Sequence, residues 1–213
     1  GGPRLVFVNG HFAPERSLLK SIPREIRITN FASALHEDGR TIEPLLSRSP
    51  HEHLNGFTAL NTALAEDGAF IHIPANTTIE EPIHLLFLSD TGSTPIVSHP
   101  KTWVLAGPGS RATIVETHAS ILSRSMDDVY LTNAVTEVVL EEGAVLDHYK
   151  VQNEAETAFH VALLSVRQER DSRFSAHSLA LGSAIARHEV RVSLDAPGAE
   201  VVLNGLYIPQ GEQ

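Results

Sequence analysis

Cysteine is absent from this chain of 213 residues, and tryptophan and methionine occur only once each. Without cysteine the chain forms no disulfide, offers no thiolate nucleophile and has no cysteine-ligated metal site. Basic residues are also scarce, because 16 Lys and Arg stand against 26 Asp and Glu, for a formal charge of −10. Phosphate binding needs a clustered basic face, so this balance argues against a nucleic-acid partner.

Long hydrophobic runs and a secretion signal are missing as well. The longest apolar stretches, such as residues 83–88, have the length of a strand, whereas a membrane-spanning helix needs roughly 20 apolar residues. The start, Gly1-Gly2-Pro3-Arg4, has neither an initiator Met nor a signal-peptide core, which indicates an expression scar or a cut site. We therefore predict no membrane association.

A recurring turn is the most informative pattern that is present. An acidic or Pro-led turn delivers a Gly-Ala step into an alternating apolar strand at Gly68, Gly143 and Gly198, and Gly109 repeats it with Ser in place of Ala. Glycine permits the positive φ of a tight turn. The intervals 68 to 109, 109 to 143 and 143 to 198 span 41, 34 and 55 residues, and solenoid repeats span roughly 20–50. The longest interval predicts a degenerate turn near residues 170–172.

Residues 1–66 are predicted to form a small α/β N-terminal segment. Leu5–Val8 has the pattern of a short strand, and Asn9-Gly10 turns it into a hairpin. Helices are predicted over residues 41–46 and 55–65, and Asn55 is a suitable cap for the second. We expect this second helix to abut the rest of the protein along an apolar stripe. The stripe comprises Leu54, Phe57, Leu60, Ala63 and Leu64.

Residues 67–213 are predicted to form the β core. Short segments rich in Val, Ile, Thr and Leu follow one another, separated by turns and without any helix-length period. Strands joined by turns without crossover helices favour a parallel β-helix, in which inward positions stack from coil to coil. We therefore predict a mainly β protein. An antiparallel sandwich is the alternative, but it has no need for a recurring Gly-Ala turn.

Twelve histidines in a chain without cysteine raise the question of a metal site. His51-Glu52-His53 would place two rings on one strand face, but no further Glu follows at ligand spacing, so a solvated loop is the favoured interpretation. Other histidines lie on predicted strands, where ordinary hydrogen-bonded side chains are commoner than a site, and sequence alone does not reveal convergence. They are His118, His148, His160, His177 and His188.

Paired carboxylates are the remaining candidates for chemistry. Asp127-Asp128 lies near strands, and a carbohydrate-active β-helix enzyme would use such residues together with neighbouring carboxylates on one sheet face. Adjacent strand residues point to opposite faces, so solvated turns are favoured here and at Glu80-Glu81 and Glu141-Glu142. Neither a nucleophile elbow nor a phosphate loop is present. We predict no catalytic and no metal-binding residue, and leave cofactor-binding residues unassigned.

The chain from Phe57 to Pro209 resembles the SufB/SufD family of iron–sulfur cluster assembly proteins, and is more similar to its SufD branch. The resemblance depends on the order and spacing of several stretches: residues 57–63 with 67–74, 79–85, 133–138 with 144–152, and 182–187 with 204–207. Residues 5–12 also resemble the segment that precedes the family's β-helix. The similarity therefore covers nearly the whole chain.

This resemblance implies a right-handed parallel β-helix that acts in the cytoplasm as a scaffold. Its implied partners are SufB, through β-helix pairing, and the ATPase SufC, and a SufD homodimer stays open. The chain would not be an enzyme by itself. Iron–sulfur clusters are held mainly by Cys thiolates, so we expect no cofactor on this chain alone. A cluster would be present transiently in the full complex, with at most a His ligand from this side.

Length is where the chain departs from the family. Family members continue well past Tyr207, through further coils to a C-terminal region that binds SufC. The resemblance thus implies a fragment whose C-terminal end either pairs with another copy or is poorly ordered. Two other functions stay open: the carbohydrate-active enzyme described above and a His-ligated metalloprotein.

Overall fold

Parallel strands in two sheets make up most of the fold. The computed structural model describes residues 2–19, 25–46, 55–91, 94–121 and 129–208. Its helices are α1 (Phe31–Leu46) and α2 (Gly56–Leu64). Its strands are β1 (Arg4–Val8), β2 (His11–Phe12), β3 (Arg27–Asn30), β4 (Ala69–Ile73), β5 (Ile83–Ser89), β6 (Ile96–Ser98), β7 (Lys101–Ala106), β8 (Arg111–Ser120), β9 (Tyr130–Leu140), β10 (Val145–Asn153), β11 (Ala158–Gln168), β12 (Arg173–Ala180), β13 (Ile185–Leu194) and β14 (Glu200–Tyr207).

From β8 onward each strand lies in the sheet opposite to that of the strand before it. The first sheet has the order β14-β12-β10-β8-β5-β1-β2, and the second has the order β13-β11-β9-β7-β4-β3, with β6 paired to β9. Every strand pairing between β4 and β14 in the described residues is parallel. The mainly β prediction is confirmed, and the alternative of an antiparallel sandwich is wrong.

A column of residues with positive φ marks the corresponding turn in successive repeats. Their φ angles lie between 54° and 78°, and they are Asn76, Gly109, Gly143, Asp171 and Gly198. The backbone N–H of each of the first four donates a hydrogen bond to the carbonyl of the residue immediately before the next residue of the column. The N···O distances are 2.7–3.1 Å. The degenerate turn predicted near residues 170–172 is therefore confirmed at Asp171. The intervals from 76 through 109, 143 and 171 to 198 span 33, 34, 28 and 27 residues.

Gly68 does not belong to this column, so its inclusion among the recurring turns is wrong. Asn76 occupies the corresponding place in the first repeat, because Asn, like Gly, tolerates the left-handed region. Gly68 serves close packing instead. A Cβ atom built at this position would lie 1.8 Å from the carbonyl oxygen of Lys101, at the start of β7.

The N-terminal residues contribute strands to both sheets. The predicted hairpin is present as β1 and β2, and β1 also pairs in parallel with β5. In the second sheet, β3 pairs antiparallel with β4. Helix α1 is longer than the predicted 41–46, and the division at residue 66 stays a prediction. No helix in the described ranges combines the length and the apolar composition needed to cross a membrane.

Helix α2 begins at the predicted cap but faces the sheet with polar side chains. Asn55 accepts a hydrogen bond from the backbone N–H of Thr58. The buried Asn61 amide donates to the carbonyl of Pro100, just before β7, at 3.1 Å and to that of Asn133, on β9, at 2.8 Å. The helix therefore abuts the second sheet as expected, but the contact is made by Asn61 and not by the apolar stripe, because two buried carbonyls need a donor there. The stripe residues Phe57, Leu60, Ala63 and Leu64 are exposed, and Leu54 lies outside the described residues.

The space between the two sheets is apolar at one end and polar at the other. Near the beginning of the first-sheet strands, Ala112, Leu146 and Phe174 are in register and belong to the main apolar core. Farther along the same strands, inward positions become polar, as in the register row of Glu116, Lys150 and Ser178. The candidate site lies in this polar half.

Candidate functional site

Buried ionisable side chains from both sheets meet in the polar half of the interior. We call this group the internal polar cluster: Glu116 and His118 from β8, His148, Lys150 and Gln152 from β10, Glu154 just after β10, His160 from β11 and His188 from β13. All except His188 are at most 6% exposed. Alternate strand residues share a face, so the spacing 116–118 and 148–150–152 directs these side chains inward together.

Glu116 is the centre of one half of the cluster. Its carboxylate accepts hydrogen bonds from His118 Nε2 at 2.7 Å, His148 Nε2 at 3.2 Å and Thr136 Oγ1 at 2.9 Å. Lys150 Nζ lies 3.6 Å from Glu116 Oε1. Burial alone would raise the pKa of this carboxyl, but the Lys150 charge and the imidazole hydrogen bonds hold it well below its usual range. Glu116 is therefore ionised inside the protein.

Glu154 organises the other half in the same way. Its oxygens accept from Thr132 Oγ1 at 3.0 Å and Gln152 Nε2 at 3.1 Å, and His160 Nδ1 lies 2.7 Å from Oε2. Burial opposes ionisation, but the interaction with His160 and the hydrogen bond from Gln152 lower the pKa of Glu154 to about 2. Burial, followed by the nearby Lys150 charge, lowers the pKa of His160 to about 4. His160 is thus neutral at pH 7.

The fate of the five strand histidines differs. His118, His148 and His160 lie in the cluster, as does His188, whose Nδ1 is 3.1 Å from Ser178 Oγ and whose pKa is lowered to about 3 by burial and then by Lys150. His177 lies on the outer face, where its ring stacks on Tyr149 at a centroid distance of 4.8 Å. Four of the five, His118, His148, His177 and His188, make side-chain hydrogen bonds. The structure adds the convergence of four of the five inside the protein.

Several buried atoms of the cluster lack a hydrogen-bond partner. They are His118 Nδ1, His148 Nδ1, Gln152 Oε1, both ring nitrogens of His160 and His188 Nε2, because the close approach of His160 Nδ1 to Glu154 does not have hydrogen-bond geometry. A small cavity of about 20 Å³ lies beside them and is lined in part by Lys150, Gln152, His160, Ser178 and His188. A space of this size admits one ion or one water molecule. The cluster is therefore fully hydrogen-bonded around its carboxylates but not around its imidazoles.

The other candidate residues do not join this site. His51, His53, Asp127 and Asp128 lie outside the described residues. Glu80 and Glu81 are exposed, and Glu141 and Glu142 lie at a turn, as expected for solvated carboxylates. Within the described ranges, no three His, Asp or Glu side chains are already placed to hold one metal ion.

Glu116, Lys150 and Glu154 were missed by the sequence reasoning. A signal exists, because polar residues alternate as Glu116-x-His118 and as His148-x-Lys150-x-Gln152-x-Glu154. However, the opposite face of these strands mixes apolar residues such as Val115 and Val151 with polar ones such as Asp147. A row of charged residues ordinarily lies on the face that meets water. Only the packing of the two sheets against each other shows that these polar side chains are the buried ones.

Comparison with protein families decides the relationship of the chain. Residues 87–213 match the family described as "SUF system FeS cluster assembly, SufBD core domain". Residues 3–85 match the "SufBD protein N-terminal region". The chain belongs to the SufBD family. The resemblance stated from the sequence is confirmed.

Relatives of this SufBD family chain include bacterial and plant proteins. An iron–sulfur cluster assembly SufBD family protein of Synechocystis is 31% identical over 215 residues, which cover 99% of this chain and 47% of that protein. The iron–sulfur cluster assembly protein SufD of Escherichia coli is 21% identical over 97% of this chain and 45% of its own length. The Arabidopsis protein ABCI7, chloroplastic, is 30% identical over 74% of this chain and 34% of its own length. The chain spans less than half the length of these curated relatives.

Proposed function

We propose that this SufBD family chain is a SufD-like scaffold subunit, without catalytic activity of its own, in a complex that assembles iron–sulfur clusters with SufB and the ATPase SufC. The observation that carries the proposal is that a SufBD core sequence contains no cysteine. Because clusters are held mainly by Cys thiolates, a partner supplies the cluster's ligands, with at most an imidazole from this chain. Relatives named SufD in two bacteria support this branch.

The scaffold in this proposal is a right-handed parallel β-helix. Its support is the alternation of strands between two sheets and the return to each sheet as a parallel neighbour. The column of positive-φ turns adds the same repeat independently, with one member in each return of the chain. A solenoid of this kind presents long, regular surfaces to partners. We place it in the cytoplasm, although two Arabidopsis relatives are named chloroplastic.

Co-purification tests the proposed partnership. The complete protein is coexpressed with SufB and SufC of the same organism, with an affinity tag on SufB and a strain lacking SufB as the control. We expect this protein to elute with SufB and SufC, and to be absent when SufB is absent or when the partners are replaced by an unrelated ATPase. Failure to bind either partner would overturn the assignment.

Anaerobic reconstitution tests the role of cysteine separately. Residues 1–213 alone, given ferrous iron and sulfide, are expected to form no stable cluster by charge-transfer absorption, because they contain no thiolate. The same treatment of the complex is expected to give that absorption, and replacement of the SufB cysteines should abolish it. A stable cluster on the isolated protein would show that the cysteine argument is wrong.

A further inference from the structure

Three neighbouring buried side chains each keep one lone pair without a hydrogen-bond partner. The atoms are His118 Nδ1, His160 Nε2 and Gln152 Oε1. We propose that they bind one divalent first-row transition-metal ion inside the protein. Two imidazole nitrogens and an amide oxygen are ligands that zinc, iron, cobalt and nickel accept. This goes beyond cluster assembly with partners and does not depend on it.

The three side chains are adjacent by independent criteria. His118 and Gln152 are register partners on β8 and β10, so their backbones are separated by about 4.8 Å, the spacing of paired strands. The rings of His118 and His160 lie with their centroids 4.7 Å apart, in an edge-to-face arrangement. His160 Nδ1 and Gln152 Nε2 both contact the same oxygen, Glu154 Oε2, at 2.7 and 3.1 Å.

Carboxylates hold both imidazoles with one nitrogen turned away. His118 Nε2 donates to Glu116 Oε1 at 2.7 Å, and His160 Nδ1 lies 2.7 Å from Glu154 Oε2, outside hydrogen-bond geometry but at a distance where a carboxylate favours the proton on that nitrogen. The remaining nitrogens, Nδ1 of His118 and Nε2 of His160, therefore carry lone pairs. Metal-binding histidines are held in this way, with the second ring nitrogen on a carboxylate. The amide of Gln152 is fixed by the same Glu154, so its oxygen is the free end.

A water molecule does not satisfy this set. Gln152 and His160 line the cavity of about 20 Å³, which has room for about one water. One water donates two hydrogen bonds, whereas three lone pairs are unpartnered here. A cation contacts all three at once. The third ligand is an amide oxygen, so the set differs from a site built of His, Asp and Glu alone, of which the described residues contain none.

The charges around the site favour a cation. Glu116 and Glu154 are two carboxylates, and Lys150 is the ammonium that faces them within the cluster. The formal sum of these three groups is negative by one charge. Lys150 and Arg187 line the cavity as well, but each has a carboxylate partner, since Lys150 Nζ lies 3.6 Å from Glu116 Oε1 and Arg187 Nη2 lies 3.3 Å from Glu189 Oε2.

Metal binding by the purified protein tests the site. The protein is treated with a chelator, dialysed against Zn²⁺ and analysed for bound zinc, and Co²⁺ is added in parallel to record its d–d absorption. We expect one tightly bound equivalent and a cobalt spectrum with nitrogen and oxygen ligands. X-ray absorption of the zinc-loaded wild-type protein should show two imidazoles, a measurement that needs no variant to fold. The absence of stoichiometric binding would overturn the proposal.

A matched pair at Gln152 distinguishes ligation from general effects. Gln152→Met removes the oxygen at nearly constant length and should weaken zinc binding by roughly tenfold or more, since even outer-shell partners contribute 10–100-fold. Gln152→Glu restores an oxygen ligand with a charge and should bind zinc at least as tightly as wild type. His118→Phe preserves stacking on Phe87 and should abolish stoichiometric binding, whereas the outer-face variant His177→Ala should retain it. Retention in His118→Phe and Gln152→Met, or loss in His177→Ala, would place the ion elsewhere and overturn the proposal.

Discussion

The buried ion pair of Lys101 and Glu137 lies where the second sheet contacts helix α2, and its removal should lower the free energy of unfolding. Lys101 Nζ lies 3.1 Å from Glu137 Oε1, and both side chains are at most 7% exposed. Glu137 Oε2 also accepts from Trp103 Nε1 at 2.8 Å, and Lys101 donates to Thr62 of α2 at 3.2 Å. Each charge therefore has one charged partner and one neutral one.

The expected cost follows from leaving one charge buried without its counter-charge. Breaking a buried pair by removing one partner destabilises proteins by about 3–5 kcal/mol. Lys101→Met leaves the Glu137 carboxylate unbalanced, and Glu137→Gln leaves the Lys101 ammonium unbalanced while an amide oxygen still accepts from Trp103. We expect each single variant to lose about 3 kcal/mol of unfolding free energy. The double variant, with no buried charge, should recover most of that loss.

Urea denaturation of the four proteins in this cycle measures the coupling. Circular dichroism follows the whole fold, and Trp103, the chain's only tryptophan, reports by fluorescence from within the network. The matched control is the exposed pair Arg173 and Glu200, 3.2 Å apart with both side chains 66% exposed. Its cycle should give a coupling of about 0–1 kcal/mol. Additive losses of less than about 1 kcal/mol at Lys101 and Glu137 would refute the reasoning.

Other expected outcomes concern packing, a buried amide and pH. Gly68→Ala should destabilise the protein strongly, because the new Cβ would lie 1.8 Å from the Lys101 carbonyl oxygen. Gly39→Ala in α1, which has open space around it, should raise the free energy of unfolding by up to about 1 kcal/mol, as measured by thermal denaturation. Asn61→Ala leaves two carbonyls without their donor and should cost about 2–3 kcal/mol in urea denaturation, and a loss under about 0.5 would contradict this. In metal-free protein the neutral form of His188 is favoured by folding, so its contribution is complete above pH 6.5 and is lost as pH falls towards its folded pKa of about 3. At pH 4.5 the loss is about 3 kcal/mol, and His188→Gln should flatten the stability–pH curve by that amount; an unchanged curve would disprove the shift.

Turn chemistry was predictable because it is local. Gly109, Gly143 and Gly198 occupy left-handed turns as expected, and the degenerate turn appears at Asp171. The error at Gly68 has a physical reason, since glycine also serves where two backbones approach closely. Spacing alone did not distinguish these uses. Asn76, which has the positive φ in the first repeat, is not followed by a Gly-Ala step, so the Gly-Ala pattern did not predict it.

Helix α2 shows where local reasoning stops. Its start at Asn55 was correct because capping depends on neighbouring residues. Its orientation was wrong because Asn61 meets carbonyls of residues 100 and 133, far away in the chain. Periodicity predicts which side chains of a helix share a face. It does not predict which face packs on the protein when a buried backbone carbonyl elsewhere in the chain needs a hydrogen-bond donor.

The sequence by itself determined that these 213 residues hold no thiolate ligand, that their strands are short and joined by turns, and that they resemble the SufBD family. Composition and local backbone preferences are properties of residues and their immediate neighbours, so one sequence contains them. Only the tertiary structure decided that Glu116, Glu154 and four histidines are buried together. That outcome depends on the register between strands some 30 residues apart and on which side of each strand faces the opposite sheet. The missing cysteines excluded one kind of metal chemistry, and the packing of the sheets brought together the groups for another.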